Sequence, residues 1–179
     1  MGRKECCSCG NSAAQFFAAN PKKIANRARD LFLQGYFCAE SVLMALAQTH
    51  GRDADGLCRL MTGFCGGMGR SGGMCGALTG GIAAIGMLFG RKDNNASKDE
   101  CYTLTYKLVR EFEKRFGSTT CAGLLGCDIS THEGDEFFTK QGLEEEICAR
   151  VTEESAELLQ ELINNIKCLT HPLIARPED

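Results

Sequence analysis

Twelve cysteines stand at positions 6, 7, 9, 38, 58, 65, 75, 101, 121, 127, 148 and 168 of a 179-residue chain. Thiolates bind soft metals, build iron–sulfur centres and attack disulfides, so these residues frame the chemistry open to the protein. Outside the Cys6-Cys7-Ser8-Cys9 arm no two cysteines have C-x-x-C spacing. The close pairs of zinc ribbons, thioredoxin-type motifs and ferredoxin runs are therefore missing from the body of the chain. With no C-x-x-C-H, covalent haem attachment is not expected. Thiols that share a site here must come from different helices, as metal ligands do in the core of a helical bundle.

Three contexts favour a thiolate. Cys38 opens a helical pattern, Cys75 follows a glycine-rich run at the mouth of the next long helix, and Cys121 precedes a short helical turn. Unpaired amide donors and the dipole at a helix start are expected to lower a thiol's pKa. Free N–H groups in the run Gly63–Gly81 could also bond sulfide or thiolate. Cys58, Cys101 and Cys168 fall within helical patterns or at their ends and read better as small buried hydrophobes. Spacing alone leaves Cys148, inside the last helix, undecided.

Other motifs fail on context. Gly67-Met68-Gly69-Arg70-Ser71-Gly72 matches G-x-G-x-x-G, but no strand precedes it and no acidic residue follows on a second strand. No glycine–lysine pair supports a Walker A loop, and no G-x-S-x-G supports a nucleophile elbow. Arg70 reads as a solvated loop residue that could offer positive charge to an anionic group. His50, His132 and His171 lie far apart in turns and read as surface residues. Glu144-Glu145-Glu146 suits a helix start and gives no sign of paired catalytic carboxylates.

The elements that position the cysteines are helical. Pro21 opens a helix with Ile24, Ala28, Leu31 and Phe32 at helical spacing. A second runs from about Cys38 to Gln48, and Asp53 or Asp55 is expected to cap a short third through Leu57, Leu60 and Met61. The glycine run reads as a backbone-shaped loop leading into a helix over Gly76–Phe89. Ser97 and Glu100 form a capping-box pattern for a long helix through Leu104, Leu108, Phe112 and Phe116, which Gly117 ends. Residues 121–126 read as a short turn, 128–142 as irregular, and 143–166 as the last long helix. No alternating run suggests a strand. The expectation is an all-α bundle of four to five helices with the glycine-rich loop before its central helix. It comprises an N-terminal cysteine-containing arm over 1–20, one domain over 21–168 and a tail over 169–179.

Composition bounds the function class. With 44% apolar and 24% charged residues the chain can bury a core without staples. A net charge of −3 argues against a nucleic-acid partner. The most apolar segment, residues 76–90, is too short for a membrane span, and the N-terminus lacks the pattern of a signal peptide. A cytoplasmic protein with reduced thiols is expected, where such thiols serve metals or catalysis.

The segments GYFCAESVLMA, TGFCGGMGRSGGMCGALTGG, RFGSTTCAGLLGCD and ICARV, in this order, resemble the redox-active family named for a C_GCAxxG_C_C cysteine pattern. The likeness extends over roughly residues 21–166, and the stretch from Cys75 through Gly76, Ala77, Gly80 and Gly81 is its most specific part. The resemblance implies four characteristic cysteines, which fall on Cys38, Cys75, Cys121 and Cys148. The family is similar to the non-haem portion of split-Soret cytochrome c. That implies a cysteine-ligated iron–sulfur cluster in a helical fold, a homodimer and an unidentified redox partner. The sequence departs from the cytochrome in lacking haem-binding motifs. It adds Cys65, the arm cysteines Cys6, Cys7 and Cys9, and Cys127 as a further candidate ligand. Three readings follow: electron transfer through a cluster on Cys38, Cys75, Cys121 and Cys148, thiol–disulfide chemistry on the same cysteines, or a redox-silent zinc site.

Overall fold

The computed structural model of the chain describes residues 19–168. Cys6, Cys7 and Cys9, the tail over 169–179, His171 and the side chain of Cys168 lie outside the described residues. Within them the protein is all-α: α1 Pro21–Leu33, α2 Cys38–Thr49, α3 Leu57–Met61, α4 Gly76–Phe89, α5 Asp99–Phe116, α6 Cys121–Leu125, α7 His132–Lys140 and α8 Arg150–Asn164. An isolated bridge between Met74 and Thr120 is the nearest approach to a sheet among the described residues.

Local chemistry sets the helix ends. Asn20 caps α1, its Oδ1 accepting from Lys22 N–H at 2.9 Å, with Pro21 preset for the first turn. Gly117 ends α5 at φ 81°. Two expected caps are replaced. The cap of α3 is Gly56 rather than an aspartate, and Asp53 instead accepts from Asp55 N–H at 2.9 Å in a local turn. At α5, Lys98 takes the cap position, and Ser97 Oγ accepts from Asp99 N–H at 3.1 Å. In both places the short polar side chain accepts from the backbone N–H two residues on, closing a local turn.

Packing follows the apolar stripes. Ile24, Ala28 and Leu31 of α1 are buried, as is every residue of α2 from Ala39 to Ala47. Helix α8 packs against α1, α2, α4 and α5, placing Leu159 and Ile163 in one core with Leu46, Leu78, Leu108 and Phe112. Each such side chain contributes about 1.5–3 kcal/mol by leaving water. Gly80 lets α4 meet the start of α2 backbone to backbone, since a β-carbon there would lie 2.5 Å from Ala39 O.

The segment expected to be irregular, 128–142, contains α7. Thr131 Oγ1 caps it by accepting from Gly134 N–H at 3.0 Å, and Glu133 and Asp135 occupy its first turn. The last helix is not uniform: Glu144–Ala149 forms a π-helical turn before α8 begins. No helix among the described residues is long and apolar enough to cross a membrane.

Candidate thiol site

Five cysteines from five segments line one cavity of about 250 Å³: Cys38, Cys65, Cys75, Cys121 and Cys148. Cys38 is the first residue of α2 and Cys121 the first of α6, while Cys75 is the N-cap of α4. Cys65 follows a 3₁₀ turn, Thr62–Phe64, and opens a helical turn, Cys65–Met68, broken at Gly66 and Gly67. Cys148 lies on the π-helical turn. The extra residue of a π-turn widens the helix and re-aims its side chains, and such turns recur at functional sites.

The loops are tied so that these positions converge. Cys75 N–H donates to Thr119 O at 2.8 Å, Cys121 N–H to Gly73 O at 2.7 Å and Ala122 N–H to Gly72 O at 3.2 Å. Residues 72–75 and 119–122 are thereby stitched side by side, which sets Cys75 next to Cys121. Gly67 makes room for this. It holds φ 68°, a left-handed conformation that side chains rarely adopt, and a β-carbon on it would lie 2.5 Å from the Cys121 Cβ. Gly76 does the same for Cys38, whose Sγ would be 2.3 Å from an added β-carbon.

The rest of the wall is mainly apolar, with Phe32, Leu124, Leu125, Ile129, Phe138, Ile147 and Val151. Thr152 also lines it; the residue is fully buried and its hydroxyl has no partner among the described residues. Arg70 stands beside the cavity, donating to Ile129 O at 3.1 Å and paired with Asp135. Its side chain is half-exposed but anchored, which the expectation of a freely solvated loop arginine missed.

Helix starts were expected to lower the thiol pKa values, and at Cys75 and Cys121 the net effect is the reverse. Burial pushes Cys75 up to about 11, against the N–H groups of Ala77 and Leu78 that do favour its thiolate. Burial, with Cys121 and Cys75 nearby, pushes Cys148 up to about 12. Cys121 is also raised, chiefly by burial and then by Cys127, with Arg70 opposing. Cys65 is raised first by its hydrogen bond with Cys38 and next by burial. Desolvation in an apolar wall outweighs the amide donors. A cationic metal centre would reverse the balance, because thiolate is the form it binds.

The four cysteines singled out in the sequence thus share the cavity, with Cys65 as a fifth. Cys127 is not part of the lining but lies within electrostatic reach of Cys121 and Cys148. Cys58 and Cys101 are half-buried and not part of the lining, although Cys58 lies within electrostatic reach of Cys65. The signal for Cys65 was its place in the glycine run, ten residues before Cys75. Nothing in the sequence pointed to the Thr152 hydroxyl. Among the described residues no three His, Cys, Asp or Glu side chains converge closely enough to hold a single metal ion.

The donor set suits a cluster in kind. Several thiols ring a cavity instead of meeting at a point, and in a four-iron cluster each thiolate binds a different iron. An apolar wall and N–H groups aimed at sulfur are the features that set a cluster's potential.

No curated protein and no solved structure matches the chain. The family of C_GCAxxG_C_C putative redox-active proteins matches residues 36–162. That range covers more than half of the chain and includes all five cavity cysteines, so the protein belongs to this redox-active family.

Proposed function

We propose that the protein is an electron carrier whose Cys38, Cys75, Cys121 and Cys148 hold an iron–sulfur cluster. The observation that carries this reading is the convergence of these four thiols, from separate segments, on one apolar-walled cavity. When bound, such a cluster supplies one-electron chemistry at a potential set by its surroundings. The chain's own part is to keep four sulfurs apart at the spacing the loops impose, to exclude water with Phe32, Leu125 and Ile147, and to aim N–H groups of Ala77 and Leu78 at Cys75. Arg70 adds positive charge near Cys121 and would offset the net negative charge of a thiolate-bound cluster. A reducing, cytoplasmic setting accords with so many thiols. The homodimer is supported by the family resemblance alone.

The test is an absorption spectrum of protein purified without oxygen, with iron, zinc and acid-labile sulfide analysis. Broad visible absorption with iron and sulfide present supports the reading. A colourless protein that also resists reconstitution rejects it, and zinc in its place would indicate the redox-silent alternative.

A further inference from the structure

The cavity holds one thiol more than the four proposed cluster ligands, and that thiol is placed against one of them. Cys65 is within hydrogen-bonding reach of Cys38, and the N–H groups of Ala39 and Glu40, at the start of α2, also reach its sulfur. Gly76 holds the two segments together. A β-carbon there would lie 2.3 Å from Cys38 Sγ and 3.2 Å from Phe64 O, the carbonyl of the residue preceding Cys65. Both residues line the same cavity. Two thiols within hydrogen-bonding reach of each other in one cavity make a dithiol that can close.

We propose that Cys38 and Cys65 are a redox couple of their own, closed to a disulfide by exchange with a low-molecular-weight disulfide, and that closure withdraws Cys38 from the metal site. One protein thiolate attacks the small disulfide, forming a mixed disulfide and releasing one small thiol. The second protein thiolate then attacks the mixed disulfide at the protein sulfur and releases the other small thiol. The two protein thiols lose two protons and two electrons and gain one S–S bond, while the small disulfide is reduced to two thiols. A disulfide sulfur is no longer a thiolate ligand, so closure and cluster loading exclude each other. The couple stands on the Cys38–Cys65 contact; the exclusion rests on the reading of Cys38 as a cluster ligand.

Full-length, metal-stripped protein is incubated without oxygen with oxidised glutathione, alkylated, digested with trypsin and mapped by mass spectrometry. The expected result is the loss of two thiols and a linked pair of peptides, 30–52 carrying Cys38 and 60–70 carrying Cys65. Both Cys65→Ala and Cys65→Ser should lack this link, and whichever retains the wild-type circular dichroism should take up iron and sulfide to the wild-type level. Oxidised wild type should take up roughly tenfold less iron until it is reduced, and the Cys65 variant should be indifferent to the treatment. A link between other cysteines, or free thiols at both positions, would overturn the couple. Equal iron uptake by oxidised and reduced wild type would overturn the exclusion. If the link forms in a protein that never binds iron, the cluster reading fails and the couple remains.

Discussion

The Sγ of Cys38 lies 2.3 Å from where a β-carbon on Gly76 would stand, so the first residue of α4 is bare in order to seat the first sulfur of α2. Two further obstacles at that point, Phe64 O at 3.2 Å and Ala39 N at 3.3 Å, are tight without being prohibitive. Gly76→Ala should therefore act mainly through Cys38, destabilising the protein by about 1–3 kcal/mol as other overpacked cores do. In a Cys38→Ala background most of that cost should vanish. A double-mutant cycle from urea unfolding measures the coupling, expected in the range of roughly 0.5–3 kcal/mol. A coupling near zero would mean that the backbone contacts set the cost.

Ligand loss should separate the cavity cysteines from the others. Cys75→Ser and Cys148→Ser, each at the cavity wall, are expected to lose iron and visible colour when purified without oxygen. Cys101→Ser, half-buried away from the cavity, should keep both. Full colour and iron stoichiometry in Cys75→Ser would remove that residue from the ligand set.

The parts of this arrangement that were legible in the sequence share a cause. Ile24, Ala28 and Leu31, or Leu104, Leu108 and Phe112, repeat at helical spacing and are buried, so periodicity announced their helices. Helix α7 was not announced because His132–Lys140 is mostly polar, with Phe137 half-exposed and Phe138 packed against the smaller cluster around Cys121. The π-turn at Glu144–Ala149 was hidden for another reason: its residues are good helix formers, and only tertiary packing selects the wider turn. Cys38, Cys75 and Cys121 were marked by helix starts, whereas Cys148 came from family resemblance alone. The contact between Cys65 and Cys38 joins residues 27 positions apart and depends on how the glycine loop folds back, which no local pattern encodes. Amide donors at helix starts were read correctly as present at Cys75. Their net effect was misjudged because burial is a tertiary quantity.

Thr152 offers a test of the cavity wall that is independent of any thiol. Its hydroxyl is buried and has no partner among the described residues, a circumstance that costs about 1–3 kcal/mol. Thr152→Val should recover part of this in metal-stripped protein, raising Tm by roughly 2–4 °C per kcal/mol. A lowered Tm would indicate that the hydroxyl is satisfied in solution.

Stability of the metal-stripped protein should fall away on both sides of neutrality, for different groups. His50, hydrogen-bonded to Gln160 at 2.8 Å, has its pKa held below the ordinary 6.5 mainly by burial, with Arg52 adding to the effect. The unfolded chain binds a proton there more readily than the folded one. The stability that this contributes is present above pH 6.5 and lost as pH falls below it. Cys75 and Cys148 act in the opposite direction, raised from 9.0 to about 11 and about 12. The folded state keeps thiol protons that the unfolded chain releases. Their contribution is therefore present below pH 9 and declines as pH rises toward the folded values. Urea midpoints measured from about pH 5 to pH 10 should give a plateau between these limits. His50→Gln should flatten the acid limb and leave the alkaline one, and Cys148→Ala should make the alkaline limb shallower and leave the acid one. An acid limb that survives in His50→Gln would assign that decline to other groups.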